Sequence, residues 1–136
     1  MKRLKIVFDT NVLISTFVFK GFSAKVFEYC AIYHSIISSN WILNELTEKL
    51  TEKFKIKSSE VDTIKQILNE RVDIVRPKTE LPKICRDKDD NNILQLSEYT
   101  KANYIISGDK DLLILKDFKK TIILSPRTFY EKYISS

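Results

Sequence analysis

Short apolar runs alternate with longer amphipathic stretches along the chain. Each of five such runs is rich in Ile, Val, Leu or aromatic residues and is followed by a polar residue. Runs of this length and composition are typical of strands buried in a sheet. They predict strands over five segments: Leu4–Phe8, Ser35–Ser38, Val72–Val75, Tyr104–Ile106 and Thr121–Leu124.

In the stretches between these runs, the apolar residues recur with the spacing of a helix. The first contains a rough apolar face at residues 24–31, and the second, opened by Ser39 as N-cap, has apolar residues at intervals of four: Ile42, Leu46, Leu50 and Phe54. Ser59, with Asp62 three residues on, is predicted to cap a third helix, with Ser58 as the alternative. Asp87 to Asp90 begin a fourth, and residues 112–115 form a short helix or turn. Ser125-Pro126 begins the last helix, with serine at the N-cap and proline in the first turn.

Strands that alternate with amphipathic helices indicate an α/β fold, a doubly wound parallel sheet with helices on both faces. The 136 residues suit a single domain over 1–136, because no linker or repeat divides them. No apolar run approaches the roughly 18 residues of a membrane span. An aspartate at position 9 precedes any signal-peptide apolar region, so a cytoplasmic location is expected.

Composition excludes several kinds of site. Two glycines, Gly21 and Gly108, cannot build a glycine-rich phosphate loop. Two distant cysteines and one histidine make neither a disulfide framework nor a zinc site, and Cys30 is predicted to be a small buried hydrophobe. The net charge of +5, from 23 basic and 18 acidic residues, is compatible with a polyanionic partner such as nucleic acid.

Acidic residues stand where such a sheet would gather them. Asp9 directly follows the first predicted strand, Asp109 follows the fourth, and Glu45 and Asp90 lie early in two helices. Ligands of these sheets bind beyond the carboxyl ends of the strands, so the four carboxylates are expected to converge. Their repulsion favours a hard divalent cation, Mg²⁺ or Mn²⁺. Setting the four aside leaves 14 acidic against 23 basic residues, a net charge of +9, which suits a metal-dependent enzyme acting on a polyanion.

Several of these residues also have ordinary structural interpretations. Glu45 and Lys49 have the spacing of a surface ion pair. Asp87 is more simply a helix cap, and Asp111 belongs to a turn or caps the short helix after it. Two polar residues have two interpretations each: Asn11 caps the first helix or supports Asp9, and Ser107 is a turn residue or a hydrogen-bond donor to a carboxylate.

Four motifs occur in order along the chain: VFDTNVLIS, ILNEL, RDKDDNNILQLS and YIISGDKDLL. In this order they resemble the PIN domain family over essentially the whole chain, especially its small stand-alone members, the VapC-type toxins of toxin–antitoxin pairs. The resemblance implies a flavodoxin-like sheet in the order 3-2-1-4-5. It matches the family's four acids to Asp9, Glu45, Asp90 and Asp109, which would act as catalytic and metal-binding residues. The resemblance also implies supporting roles for four residues: Asn11, Ser107, Asp87 and Asp111.

The resemblance further implies a Mg²⁺- or Mn²⁺-dependent endoribonuclease that hydrolyses RNA phosphodiester bonds, leaving a 5′-phosphate and a 3′-hydroxyl. A toxin role, a small antitoxin partner and a homodimer follow from the same likeness. A housekeeping RNA-processing nuclease and a non-catalytic RNA- or partner-binding module are the alternatives. The basic residues considered for the RNA backbone are Lys20, Lys88 and Lys110. The aromatic residues considered for an interface or for the core are Tyr29, Tyr33, Trp41 and Tyr99.

Two other acidic-pocket folds fit less well. A phosphorelay receiver would need paired acids after the first strand and an aspartate after the third, where this chain has Arg76-Pro77. A phosphatase with an aspartyl nucleophile would need a second aspartate at position 11, which is asparagine here.

Overall fold

The computed structural model describes residues 2–135, and within them the chain forms six strands and seven helices. The strands are β1 (Lys5–Phe8), β2 (Ser35–Ser38), β3 (Val72–Ile74), β4 (Tyr104–Ile106), β5 (Asp117–Phe118) and β6 (Thr121–Leu124). The helices are α1 (Thr10–Val18), α2 (Gly21–Tyr33), α3 (Asn40–Glu52), α4 (Ser58–Arg71), α5 (Lys88–Thr100), α6 (Lys110–Leu113) and α7 (Pro126–Tyr133).

One sheet contains all of these strands, in the order β3-β2-β1-β4-β6-β5. The first five strands in this order are parallel, and the two central ones pair with Phe8 opposite Ile106. The five predicted strands and their 3-2-1-4-5 order are confirmed, with β6 as the fifth predicted strand. The addition is β5, which pairs antiparallel with β6 at the sheet edge.

Most of the predicted helix caps are present in the structure. The hydroxyl of Ser39 accepts the backbone N–H of Ile42, and Ser125 caps α7 in the same way. The prediction of a serine cap for α4 is wrong, because the helix already begins at Ser58 and Lys57 precedes it without a side-chain cap. The first helical stretch is two helices, α1 and α2, and the chain turns between them at Lys20 and at Gly21, the first residue of α2, whose φ angles are 66° and 62°.

The core lies between the sheet and its helices. Ile6, Val7 and Phe8 of β1 are buried, as are Ile105 and Ile106 of β4, so both central strands are covered on both faces. The thiol of Cys30 is also buried, as predicted, and this burial raises its pKa to about 12. None of the helices within residues 2–135 has the length and apolar character needed to cross a membrane.

His34 and the aromatic rings around it have a structural role. His34 ends α2 just before β2, and its Nδ1 accepts the backbone N–H of Leu4 at 3.1 Å. Tyr29 packs against the rings of His34, Tyr33 and Phe129. This cluster fastens α2 and α7 to the amino-terminal side of the sheet, away from the strand ends that carry the acids.

Candidate metal centre

The ends of β1 and β4 are joined at the centre of the sheet. The backbone N–H of Asp9 donates to the carbonyl of Ile106 at 3.0 Å, so the ladder continues one residue beyond β1. Ser107 follows Ile106, and its hydroxyl donates to Oδ2 of Asp9 in a short hydrogen bond. The same Ser107 oxygen accepts the backbone N–H of Asp109 at 2.9 Å. Ser107 therefore connects the two strand-end acids, and both of its interpretations are correct, because the hydroxyl donates to a carboxylate and also holds the turn to Asp109.

Asp9 is held from two sides. Its Oδ1 accepts the backbone N–H of Val12 at 2.8 Å, which makes Asp9, and not Asn11, the N-cap of α1. With Oδ2 bonded to Ser107, both carboxylate oxygens have fixed directions. Asp9 is only 5% exposed. This residue is a strand-end acid and a helix cap at once, because α1 begins immediately after β1.

The start of α5 brings three further acids to the same place. Asp87 is the N-cap, as predicted, and its Oδ1 accepts the backbone N–H of Asp89 at 2.9 Å. Asp90, in the first turn, is 7% exposed. The side chain of Asn91 holds the preceding loop, because its Oδ1 accepts the backbone N–H groups of Ile84 and Cys85 at 3.2 and 2.9 Å.

Helix α3 supplies one acid and one base. Oε1 of Glu45 lies 3.9 Å from Nζ of Lys49, so the predicted i, i+4 pair exists. Nζ of Lys49 also lies 3.5 Å from Oδ1 of Asn11, at the limit for a hydrogen bond. Asn11 therefore contacts the α3 lysine, and the structure gives no hydrogen bond between its side chain and Asp9.

These elements enclose one small cleft of about 40 Å³. It has room for an ion or a few waters. Six carboxylates line it, with Lys49 as the basic residue among the lining side chains. The acids are Asp9, Glu45, Asp87, Asp89, Asp90 and Asp109.

Burial and the crowding of negative charge raise the pKa values of three carboxyl groups in the cleft. Burial raises the pKa of Asp9 to about 6, against the opposing effect of the bonds from Ser107 and Val12. Burial and then the neighbouring carboxylates, first of all Asp109, raise the pKa of Asp90 to about 7. Burial also raises the pKa of Glu45, and Asp89 adds to this effect. Without a counter-charge, the cleft therefore holds protons that ordinary carboxyl groups would release at neutral pH.

The donor set fits a hard divalent cation. Oδ2 of Asp90 is buried and has no hydrogen-bond partner within the described residues. One carboxylate oxygen from each of Asp90, Asp109 and Asp111 lies within 4.8 Å of the other two. Carboxylate oxygens at this spacing are the ligands that Mg²⁺ and Mn²⁺ prefer. Asp9 lines the cleft outside this group of three.

Asp111 is one of the three candidate metal ligands, whereas the sequence predicted only a supporting role for it. Asp109, and not Asp111, is the N-cap of α6, and its Oδ1 accepts the backbone N–H of Asp111 at 2.7 Å. Oδ1 of Asp111 in turn pairs with the guanidinium of Arg86 at 2.9 Å. The cap geometry thus turns two acids of one loop toward Asp90.

The structure brings together the four acids proposed from the sequence, Asp9, Glu45, Asp90 and Asp109, at one cleft. Sequence reasoning missed Asp89 and took Lys49 only as the ion-pair partner of Glu45, although both line the cleft. The acidic run at residues 87–90 was the available indication of Asp89. Of the lysines considered for RNA, Lys88 and Lys110 begin α5 and α6 beside the cleft, whereas Lys20 lies between α1 and α2.

Comparison with known proteins gives three results. A family model described as PIN domain matches residues 5–111. The uncharacterized protein MJ1680 of Methanocaldococcus jannaschii is 32% identical over 152 residues, covering 98% of this chain and 96% of the relative. A chain in the crystal structure of VapBC2 from Rickettsia felis bound to a DNA fragment from their promoter has the same fold, with a TM-score of 0.65 and 16% identity. That match covers 88% of this chain and 97% of the other. The family match, together with the sheet order and the strand-end acids, shows that this chain belongs to the PIN domain family.

Proposed function

We propose that the protein is a metal-dependent endoribonuclease that hydrolyses RNA phosphodiester bonds. The observation that carries the proposal is the cleft of about 40 Å³, which six carboxylates from four separate stretches of the chain surround. The rest of the chain is basic enough to attract a polyanion. A cleft of this charge would repel RNA unless cations occupied it, so the metal and the substrate are proposed together.

Asp90, Asp109 and Asp111 would hold Mg²⁺ or Mn²⁺, with Asp9 and Glu45 completing the site. A divalent ion held by these residues would supply Lewis-acid chemistry, activating water and stabilising the charge that develops on the phosphate. Ser107 fixes the direction of the Asp9 carboxylate, and Asp87 fixes the first turn of α5. Lys49 offsets part of the negative charge beside Glu45. Lys88 and Lys110, at the rim, would bind the RNA backbone.

The biological role that we propose is that of the toxin of a toxin–antitoxin pair. It is supported by the small size of the chain and by the likeness of its fold to a chain of the VapBC2 structure. A small antitoxin protein and a second copy of this chain are the partners proposed with that role. Growth arrest on expression of the parent, and not of an Asp90→Asn variant, would support it. Normal growth with an active enzyme would favour RNA processing instead.

Cleavage of a labelled single-stranded RNA tests the activity. The parent is expected to cleave with Mn²⁺ or Mg²⁺ and to stop in EDTA. Asp90→Asn is expected to lose at least about 100-fold in rate, the scale for a group that stabilises a transition state. Asp73→Asn, on the exposed middle of β3, is the matched control and is expected to cleave like the parent. Equal cleavage by Asp90→Asn and the parent, or full activity in EDTA, would contradict the proposal.

A further inference from the structure

A second cavity, of about 310 Å³, opens beside the acidic cleft. Its volume is in the range of pockets that hold small organic ligands. Its walls combine the ring of Trp41 and the apolar side chains of Val75 and Pro77 with the amides of Asn92 and Gln95. An aromatic face with amide groups around it is a composition that suits a planar, hydrogen-bonding ligand.

The cavity and the acidic cleft are neighbours on the same two helices. Trp41 and Glu45 lie one turn apart on the same face of α3, about 6 Å along its axis. Asp89 and Asn92 lie three residues apart on one face of α5, about 4.5 Å along its axis. In both helices one residue lines the cavity and the other lines the cleft. The groove between α3 and α5 therefore contains both sites, at a separation that one nucleotide can span.

The third strand end brings a positive charge to this groove. Arg76 follows β3 and lines the cavity, two strands from the end of β1, about 10 Å away. Within residues 2–135 its guanidinium has no carboxylate partner within 4.0 Å. Gln95 is fixed at the other wall, because its Nε2 donates to the carbonyl of Thr79 at 2.6 Å. The loop after β3 is thereby held against α5, and the cavity is preformed.

We infer that this cavity binds one unpaired nucleobase of the RNA, which stacks on Trp41 and meets the amides of Asn92 and Gln95, while Arg76 contacts its phosphate. Aromatic faces, arginine and amides are the groups that recognise single-stranded RNA. The neighbouring phosphodiester would then lie over the carboxylates. The inference rests on the proposed function for its ligand, and it adds that the enzyme selects the nucleotide next to the cleaved bond.

Trp41 is the single tryptophan of the chain, so its fluorescence reports on this cavity alone. The parent protein with Mg²⁺ would be mixed rapidly with a single-stranded hexaribonucleotide, or with the same hexamer carrying abasic sugars, and its fluorescence would be recorded before hydrolysis. The intact hexamer is expected to quench the fluorescence saturably, and the abasic one is not. No quenching, or equal quenching by both, would overturn the inference.

Kinetics with Mn²⁺ provide the second readout. Trp41→Ala is expected to raise KM for single-stranded RNA about tenfold, within the range for loss of one base stack, with a smaller change in kcat. Trp41→Phe is expected to retain most of the affinity. Tyr99→Ala, an exposed aromatic on α5 outside the cavity, is the matched control and is expected to leave KM unchanged. An unchanged KM in Trp41→Ala would overturn the inference.

The two proposals fail separately. Cleavage by the parent without quenching, and with the parental KM in Trp41→Ala, removes the base site and leaves the nuclease. Quenching by the intact hexamer alone, without cleavage under any metal, removes the nuclease and supports the base site. Thermal melting of Trp41→Ala and its Mn²⁺ affinity separate loss of the fold from loss of the stack, because a folded variant with parental Mn²⁺ affinity retains the carboxylate cleft.

Discussion

The burial of Asp9 makes the stability of the metal-free protein depend on pH. In the folded chain the carboxyl group has a pKa of about 6, against an ordinary value of 3.8. The native state therefore binds this proton more tightly than the unfolded state does. The free energy of unfolding must fall as the pH rises from about 4, and the loss is complete above about pH 7.

The size of the effect follows from the shift. About two pKa units at 1.36 kcal/mol each give a loss of about 3 kcal/mol at neutral pH from Asp9 alone. For a chain of 136 residues this corresponds to about 10 °C in melting temperature. Asp90, with a pKa of about 7, shifts in the same direction and extends the pH window upward.

Urea unfolding in EDTA at pH 4.5 and pH 7.5 measures this loss. Asp9→Asn cannot ionise, so its stability should fall by about 2 kcal/mol less than that of the parent between the two values, because part of the loss is already present at pH 4.5. Comparing the two pH values in each protein cancels the effect of the altered bonds to Ser107 and Val12. Asp73→Asn, an exposed substitution on β3, should keep the parental pH dependence. An identical fall in the parent and Asp9→Asn would show that Asp9 does not titrate differently in the folded and unfolded states.

Three further predictions concern the same cleft. Ser107→Ala removes a bond that lowers the pKa of Asp9, so the acid limb of the cleavage profile should move up by about one pH unit, whereas Ser97→Ala should not move it. Asn91→Ala should lower the free energy of unfolding by about 1–3 kcal/mol in urea, because two part-buried N–H groups of the loop lose their acceptor; parental stability would contradict this. Calorimetry should show Mn²⁺ affinity falling at least tenfold from pH 7.5 to 5.5, because Asp90 must lose its proton; affinity independent of pH would count against the cleft as the site.

The strands were predictable because the sheet is covered on both faces. A strand buried on both sides must be apolar throughout, so runs such as 4–8 and 104–106 stand out from their surroundings. The two-residue strand β5 was not predictable, because Asp117 and Phe118 form no apolar run and their structure comes from pairing with β6. The break at Lys20 was missed for a similar reason, since a lysine with φ of 66° carries no local indication of that conformation.

The strand-end acids were predictable for a topological reason. Parallel strands end at one edge, so Asp9 and Asp109 had to approach each other once β1 and β4 were neighbours. The helix acids were harder, because a shift of one residue in a helix start rotates every side chain by 100°. The cap at Asp87 sets where α5 begins, and with it the direction from which each carboxylate of the 87–90 run reaches the cleft. Asp111 depends likewise on the cap at Asp109.

We propose that Asp90, Asp109 and Asp111 hold a divalent cation at the carboxyl edge of the sheet. Crystals of the parent soaked in Mn²⁺ and measured near the manganese absorption edge test it directly. We expect an anomalous peak within bonding distance of oxygens from Asp90 and Asp109. A cleft without such a peak, in crystals that bind manganese elsewhere, would contradict it.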